Sequence, residues 1–173
     1  MPLAATAAAT LTAAGSLLAM CQPTPPDPTD TSPPAVVLDV HGIPAESMLT
    51  VPAGGASRTL PRTATIDLVA SGTDAQSGID FVTIKGEIRK SCTTPDGSIG
   101  ERRTATVQAR VPAGPSPGAT LTTRIVTLRV GFGYISCSAG YRPMAMSGEL
   151  RASATNEVGL TASSGLFSFS FTL

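Results

Sequence analysis

Residues 167–172, Phe167-Ser168-Phe169-Ser170-Phe171-Thr172, put three phenylalanines on one side of the chain and three hydroxyl side chains on the other. A β-strand with one buried face requires this alternation, because successive side chains of a strand point to opposite faces. A helix would scatter the three rings around its axis. Working back toward the N-terminus, the same period recurs. Leu150, Ala152 and Ala154 alternate with Arg151, Ser153 and Thr155, and Val126, Leu128 and Val130 with Thr127 and Arg129. Ala105, Val107, Ala109 and Val111 alternate with Thr106, Gln108 and Arg110. Val82, Ile84 and Ile88 share one face, with Gly86 in the slot between them. Ala64, Ile66, Leu68 and Ala70 form another such row, and Val36, Leu38 and Val40 the first. These seven predicted strands are each apolar on one face only, which is the mark of antiparallel sheets covered on one side.

Helix periodicity is missing after Cys21, and 15 prolines and 17 glycines punctuate the chain. The expected fold is all-β, a two-sheet antiparallel sandwich of about seven strands, with an all-β barrel as the alternative. About 150 residues follow Cys21, enough for one domain with a proper core. The 12 basic and 12 acidic side chains cancel, and charged residues make up only 14% of the chain. Electrostatics therefore gives no general attraction to nucleic acid, and we expect no nucleic-acid partner.

From Met1 to Met20 no side chain is charged. Pro2 and Gly15 make this a poor permanent span, which needs about 20 apolar residues. It suits a cleaved export signal better, whose apolar core need be only about 7–15 residues. The stretch Leu18-Ala19-Met20-Cys21 resembles the bacterial lipobox, with Leu third before the cysteine, Ala second, and Met20 in the place of the usual small residue. That resemblance implies lipid attachment at Cys21, a membrane anchor and residence in the bacterial cell envelope. Secretion after cleavage nearby is the alternative. Gln22 to Pro34 has six prolines among thirteen residues and no large apolar side chain. Such a run stays extended and semi-rigid at about 3.1 Å per residue. The expected organisation is an export signal over 1–20, a flexible tether over 21–34 and the folded domain over 35–173.

The chain has three cysteines, and an odd count in an exported protein leaves one thiol to explain. Lipidation consumes Cys21 and leaves Cys92 and Cys137 as a pair; two unpaired buried thiols are the alternative. No CxxC or Cys/His cluster exists to hold zinc.

Two stretches carry a fold resemblance. Ala70 to Gly86, ASGTDAQSGIDFVTIKG, resembles the B–C region of bacterial immunoglobulin-like domains, where an Asp-containing turn leads into an alternating strand. Leu150 to Thr161, LRASATNEVGLT, resembles their F–G hairpin. The resemblance implies an immunoglobulin-like sandwich in which the third and sixth predicted strands are antiparallel neighbours. Cys92 follows the third and Cys137 precedes the sixth, so a Cys92–Cys137 disulfide is implied with them.

Side chains capable of chemistry are sparse. His41 is the sole histidine, at the predicted end of the first strand. Neither G-x-S-x-G nor HExxH occurs. Asp74 and Asp80 flank a turn and supply too few oxygens for calcium, so Asp74 is expected to cap its own backbone. We expect no cofactor, no metal and no enzymatic activity. Arg102 and Arg103, with Arg89 and Lys90, make a small basic cluster around the Cys92 loop, suited to an acidic polysaccharide or a lipid headgroup, or simply a solvated mixed-charge face. Phe132, Tyr134 and Tyr141 gather around Cys137, where aromatic side chains either meet a sugar or protein partner or pack over the disulfide. The expected function is a non-catalytic binding module for a protein or glycan partner in the envelope. A structural spacer domain or an unrecognised enzyme is the alternative.

Overall fold

A computed structural model describes residues 27–111 and 121–172, and over these the protein is all-β. Ten strands follow in order: β1 (Ala35–His41), β2 (Leu49–Thr50), β3 (Ala56–Pro61), β4 (Thr65–Thr73), β5 (Ile79–Thr93), β6 (Ile99–Val111), β7 (Thr123–Gly131), β8 (Arg142–Asn156), β9 (Thr161–Ser163) and β10 (Phe167–Thr172). They form a four-stranded sheet in the order β2-β1-β4-β7 and a six-stranded sheet in the order β3-β10-β8-β5-β6, with β9 paired to β8. Both sheets keep open edges, so neither closes into a barrel.

The phase of every predicted strand is as read from the sequence. Leu38, Val40, Ile66, Leu68, Ala70, Val82, Ile84, Ile88, Leu150, Ala152, Ala154 and Phe167 have no exposure to solvent, and together with residues from the other strands they form one core between the two sheets. Phe169 packs edge-on to Phe171 with centroids 5.7 Å apart. Burying each such ring contributes about 2–3 kcal/mol.

The number, length and direction of the strands differ from expectation. Seven strands were expected, and β2, β3 and β9 come in addition. β2 and β9 are two and three residues long, and β3 buries only Leu60 completely, so none shows a sustained alternation. The expectation of purely antiparallel sheets is corrected at β3, which runs parallel to β10 from Ala56↔Phe167 to Pro61↔Thr172. The chain crosses from the first sheet to the second between β2 and β3 and so runs alongside the final strand in the same sense. β5 and β8 extend to fifteen residues each, well past their apolar runs, because β5 is paired on both sides along most of its length. The stretches around 93–101 and 138–143 are partly strand.

The domain has two ends. The turns after β4 and β8 lie at one, here the proximal end; the β5–β6 hairpin and the β7–β8 loop lie at the other, the distal end. Fifteen residues of β5 at about 3.3 Å each put these ends roughly 45 Å apart. At the proximal end, residues 27–34 are docked, although they were expected to belong to the tether. Asp30 is buried, and its Oδ2 accepts from Ser77 Oγ at 2.7 Å and Asn156 Nδ2 at 3.4 Å. Asn156 Nδ2 also donates to Ser32 O at 3.3 Å, and the Asp27 amide donates to Gln76 O. A proline-rich segment without large apolar side chains is held here by polar contacts that composition does not reveal.

Candidate functional site

The distal end is built on Cys92. This residue closes the inward row of β5, Val82-Ile84-Gly86-Ile88-Lys90-Cys92, and pairs opposite Pro143 of β8. Cys137, in the loop between β7 and β8, is bonded to it, with Cα atoms 5.9 Å apart. The bridge lies between the end of β5 and the approach to β8, the antiparallel neighbours that the resemblance implied. It holds the 132–141 loop against the tips of β5 and β6.

A buried cation supports the same loop from beneath. Lys90 continues the inward row of β5 and is 4% exposed. Its Nζ donates to Phe132 O at 2.6 Å and Ile135 O at 2.7 Å and lies 4.3 Å from the Phe132 ring centroid. The Arg62 guanidinium is 4.6 Å from the same centroid and donates to Pro143 O at 3.1 Å and to Met144 O. Burial, and after it the charge of Arg62, holds the Lys90 ammonium below the usual lysine range. Both cations satisfy their charge on carbonyl dipoles and a ring quadrupole, and neither has a carboxylate partner among the described residues. The Arg62 Nε is buried with no hydrogen-bond partner among the described residues.

Phe132 is therefore part of the support. It is half-buried, edge-on to Phe171 at 5.9 Å, between two cations. The expected aromatic trio divides: Tyr134 and Tyr141 face solvent, 42% and 36% exposed. Tyr141 lies along the backbone of Gly100 in β6, where a Cβ would come within 2.5 Å of its ring. A second set of contacts joins the loop to β6. The Ser138 amide and hydroxyl donate to Glu101 at 3.0 and 2.8 Å, and Arg103 Nη1 donates to Ser138 Oγ at 3.0 Å. The Ser138 hydrogen bonds, backbone first, hold Glu101 below the usual carboxylate range. The two exposed tyrosines thus project from a loop fixed by a disulfide, a buried lysine and a carboxylate.

The proximal end carries the carboxylate chemistry. Asp74 Oδ1 accepts from the amides of Gln76 at 2.9 Å and Ser77 at 3.0 Å, the turn cap expected of it. Its Oδ2 accepts from Asn156 Nδ2 at 3.0 Å and Ser77 Oγ at 3.2 Å. Burial pushes this carboxyl up, but the donors from Asn156, Ser77 and Gln76 together outweigh it and leave its pKa lowered. Among the described residues no three His, Cys, Asp or Glu side chains gather as a metal site would require. His41 ends β1 opposite Asp67.

Lys90, Arg62 and Asp30 were not singled out in the sequence as structural residues. A signal existed for Lys90: counting by two from Ile84 through Ile88 lands on it. Arg62 and Asp30 act through long-range contacts that no local pattern announces. Cys21 and the expected export signal lie outside the described residues, as do the tether residues before Asp27. No family model matches the chain, and neither a curated protein nor a solved structure matches it.

Proposed function

We propose that this protein is an envelope-attached or secreted, non-catalytic binding module that meets its partner with the disulfide-tied distal end. The domain is a sandwich of immunoglobulin-like type in this reading, and Cys21 is its lipid attachment point. Strand order supports the fold type: β1, β4 and β7 follow one another in one sheet and β10, β8 and β5 in the other, the arrangement of A-B-E and G-F-C, with β6 in the place of C′.

The observation that carries the functional reading is the polarity of the domain. Asp30 fastens the entering chain to Ser77 and Asn156 at one end, while Tyr134 and Tyr141 are exposed at the other. With the stem docked from Asp27 onward, the chain between Cys21 and Asp27 reaches at most about 20 Å when fully extended. An anchor at Cys21 then keeps the proximal end toward the membrane and presents the tyrosines away from it. Exposed aromatic side chains on a pre-ordered loop bind with little loss of conformational freedom.

The test is capture from envelope extract by the immobilised protein, comparing native protein, a Tyr134→Ala/Tyr141→Ala variant and a proximal Gln76→Ala control. Loss of captured partners in the tyrosine variant alone is the expected result. A tyrosine variant that retains every partner refutes the distal-end reading. Separately, Cys21→Ser is expected to move the protein out of the membrane fraction.

A further inference from the structure

We propose that the outer face of the six-stranded sheet holds a groove for a uronic-acid polysaccharide, in which Arg102 binds a carboxylate, Arg89 lends positive charge beside it and a floor of hydroxyl side chains meets the sugar. This rests on the binding-module reading and names a ligand class for the distal half of the domain. A groove of about 390 Å³ crosses β6, β5, β8 and β10, lined among others by Arg89, Ser91, Arg102, Thr104, Ser147 and Ser170. Strand register puts these side chains on one face: Ser91 lies opposite Arg102, Arg89 opposite Thr104 and Ser147, and Ser147 opposite Ser170. A second depression, of about 210 Å³, shares Arg89, Ser147 and Ser170 and carries Glu87 and Glu149 on its far side.

The trench exists because β8 and β10 present short side chains outward, where the flanking positions carry long charged ones. Its charges are unevenly satisfied. Arg89 is held by Glu87 at 2.8 and 3.1 Å, whereas Arg102 is exposed and has no hydrogen-bond or ion-pair partner among the described residues. Lys90, buried with Arg62 beside it, lies in the same part of β5 and adds positive potential without a neutralising carboxylate.

Guanidinium binds carboxylate through two parallel hydrogen bonds, and one free arginine matches one negative charge per sugar. Glu87 and Glu149 disfavour the continuous dense charge of a nucleic acid but accept hydrogen bonds from sugar hydroxyls. Ala145, Met146 and Phe171 also line the groove, but Met146 and Phe171 are 1% and 2% exposed and turn into the core, which leaves only the Ala145 methyl for a bilayer and no open ring on which a base would stack. A chain that supplies spaced carboxylates and many hydroxyls fits this lining.

The experiment is isothermal titration of the full-length protein with hexagalacturonate, its methyl ester and hexaglutamate, at low and raised salt. Saturable binding of hexagalacturonate is expected, weakened by salt, about tenfold weaker in Arg102→Ala and lost in Arg89→Ala/Arg102→Ala. The methyl ester is expected not to bind, and the proximal Gln76→Ala control to bind as the native protein does. Both arginines are exposed, so unchanged thermal midpoints will show that the variants are folded. Absence of hexagalacturonate binding, equal binding of the ester, or full binding by the double arginine variant overturns the proposal. Hexaglutamate binding as tightly as the uronate also overturns it and assigns the groove to acidic peptides. If the uronate fails while the tyrosine pair still governs capture from extract, the groove is wrong and the distal-end reading stands.

Discussion

Removing the Cys92–Cys137 bond tests how far the distal end depends on one covalent link. The bridge spans 45 residues of sequence. In the chain-entropy treatment a closed loop of that length removes about 13 cal/mol/K from the unfolded ensemble, or about 4 kcal/mol at 25 °C. The described part of the domain has 137 residues. An unfolding entropy of about 2.1 cal/mol/K per residue then gives about 0.3 kcal/mol/K, so reduction should lower the thermal midpoint by about 13 °C. Reduced wild-type protein isolates this effect, because it leaves the packing around Cys92 in place. A Cys92→Ala/Cys137→Ala variant should fall by roughly a further 1 kcal/mol, since Cys92 is fully buried and truncation removes its sulfur from the core. Scanning calorimetry of the oxidised and reduced proteins gives the midpoints, and urea titration gives the slope. The slope should rise on reduction, because an unconstrained unfolded chain exposes more surface. A midpoint drop of under about 3 °C, or a large drop with an unchanged slope, refutes the argument that the bridge acts by constraining the unfolded state.

Three further outcomes follow from particular residues. Gly86→Ala drives a Cβ into the carbonyl of Glu149 on the neighbouring strand, and backbone cannot yield there without disturbing the pairing of β5 with β8; chemical denaturation should show a loss of at least about 2 kcal/mol. Lys90→Met leaves Phe132 O and Ile135 O without their donor and should cost about 1–3 kcal/mol, with faster amide exchange confined first to residues 132–141. Asp74 has a lowered pKa in the folded protein, while the unfolded chain restores its ordinary value of about 3.9. Its contribution is therefore present in full above about pH 5 and is lost as the pH falls through the folded value. The stability gap between wild type and Asp74→Asn, followed by thermal melting, should be widest near neutrality and narrow below pH 4.

The legible part of the protein was the part encoded locally. Strand identity and phase can be read from Phe167-Ser168-Phe169-Ser170-Phe171 because a single buried face imposes period two within a few residues. The turn cap at Asp74 was legible for the same reason, since its partners, Gln76 and Ser77, are two and three residues away. The Cys92–Cys137 link was reachable only through a resemblance that set which strands are neighbours. Phe132, grouped with Tyr134 and Tyr141 by their nearness to Cys137, is drawn inward because Lys90 and Arg62 lie 42 and 70 positions before it and meet at its ring. Nothing near Phe132 in the sequence distinguishes it from an exposed loop aromatic.

Amino-acid order by itself determined that the chain makes half-buried strands and which side of each is buried. Tertiary structure alone decided the rest. Adjacency of strands set the parallel pairing of β3 with β10 and the continuation of β5 and β8 beyond their apolar runs, because backbone groups pair with whatever neighbour lies alongside. Contacts across more than forty positions fastened Asp30 at the proximal end and seated Lys90 under the distal loop. Alternation is a property of a few consecutive residues, whereas the two ends of the domain and the groove across its second sheet come from side chains that only folding brings together.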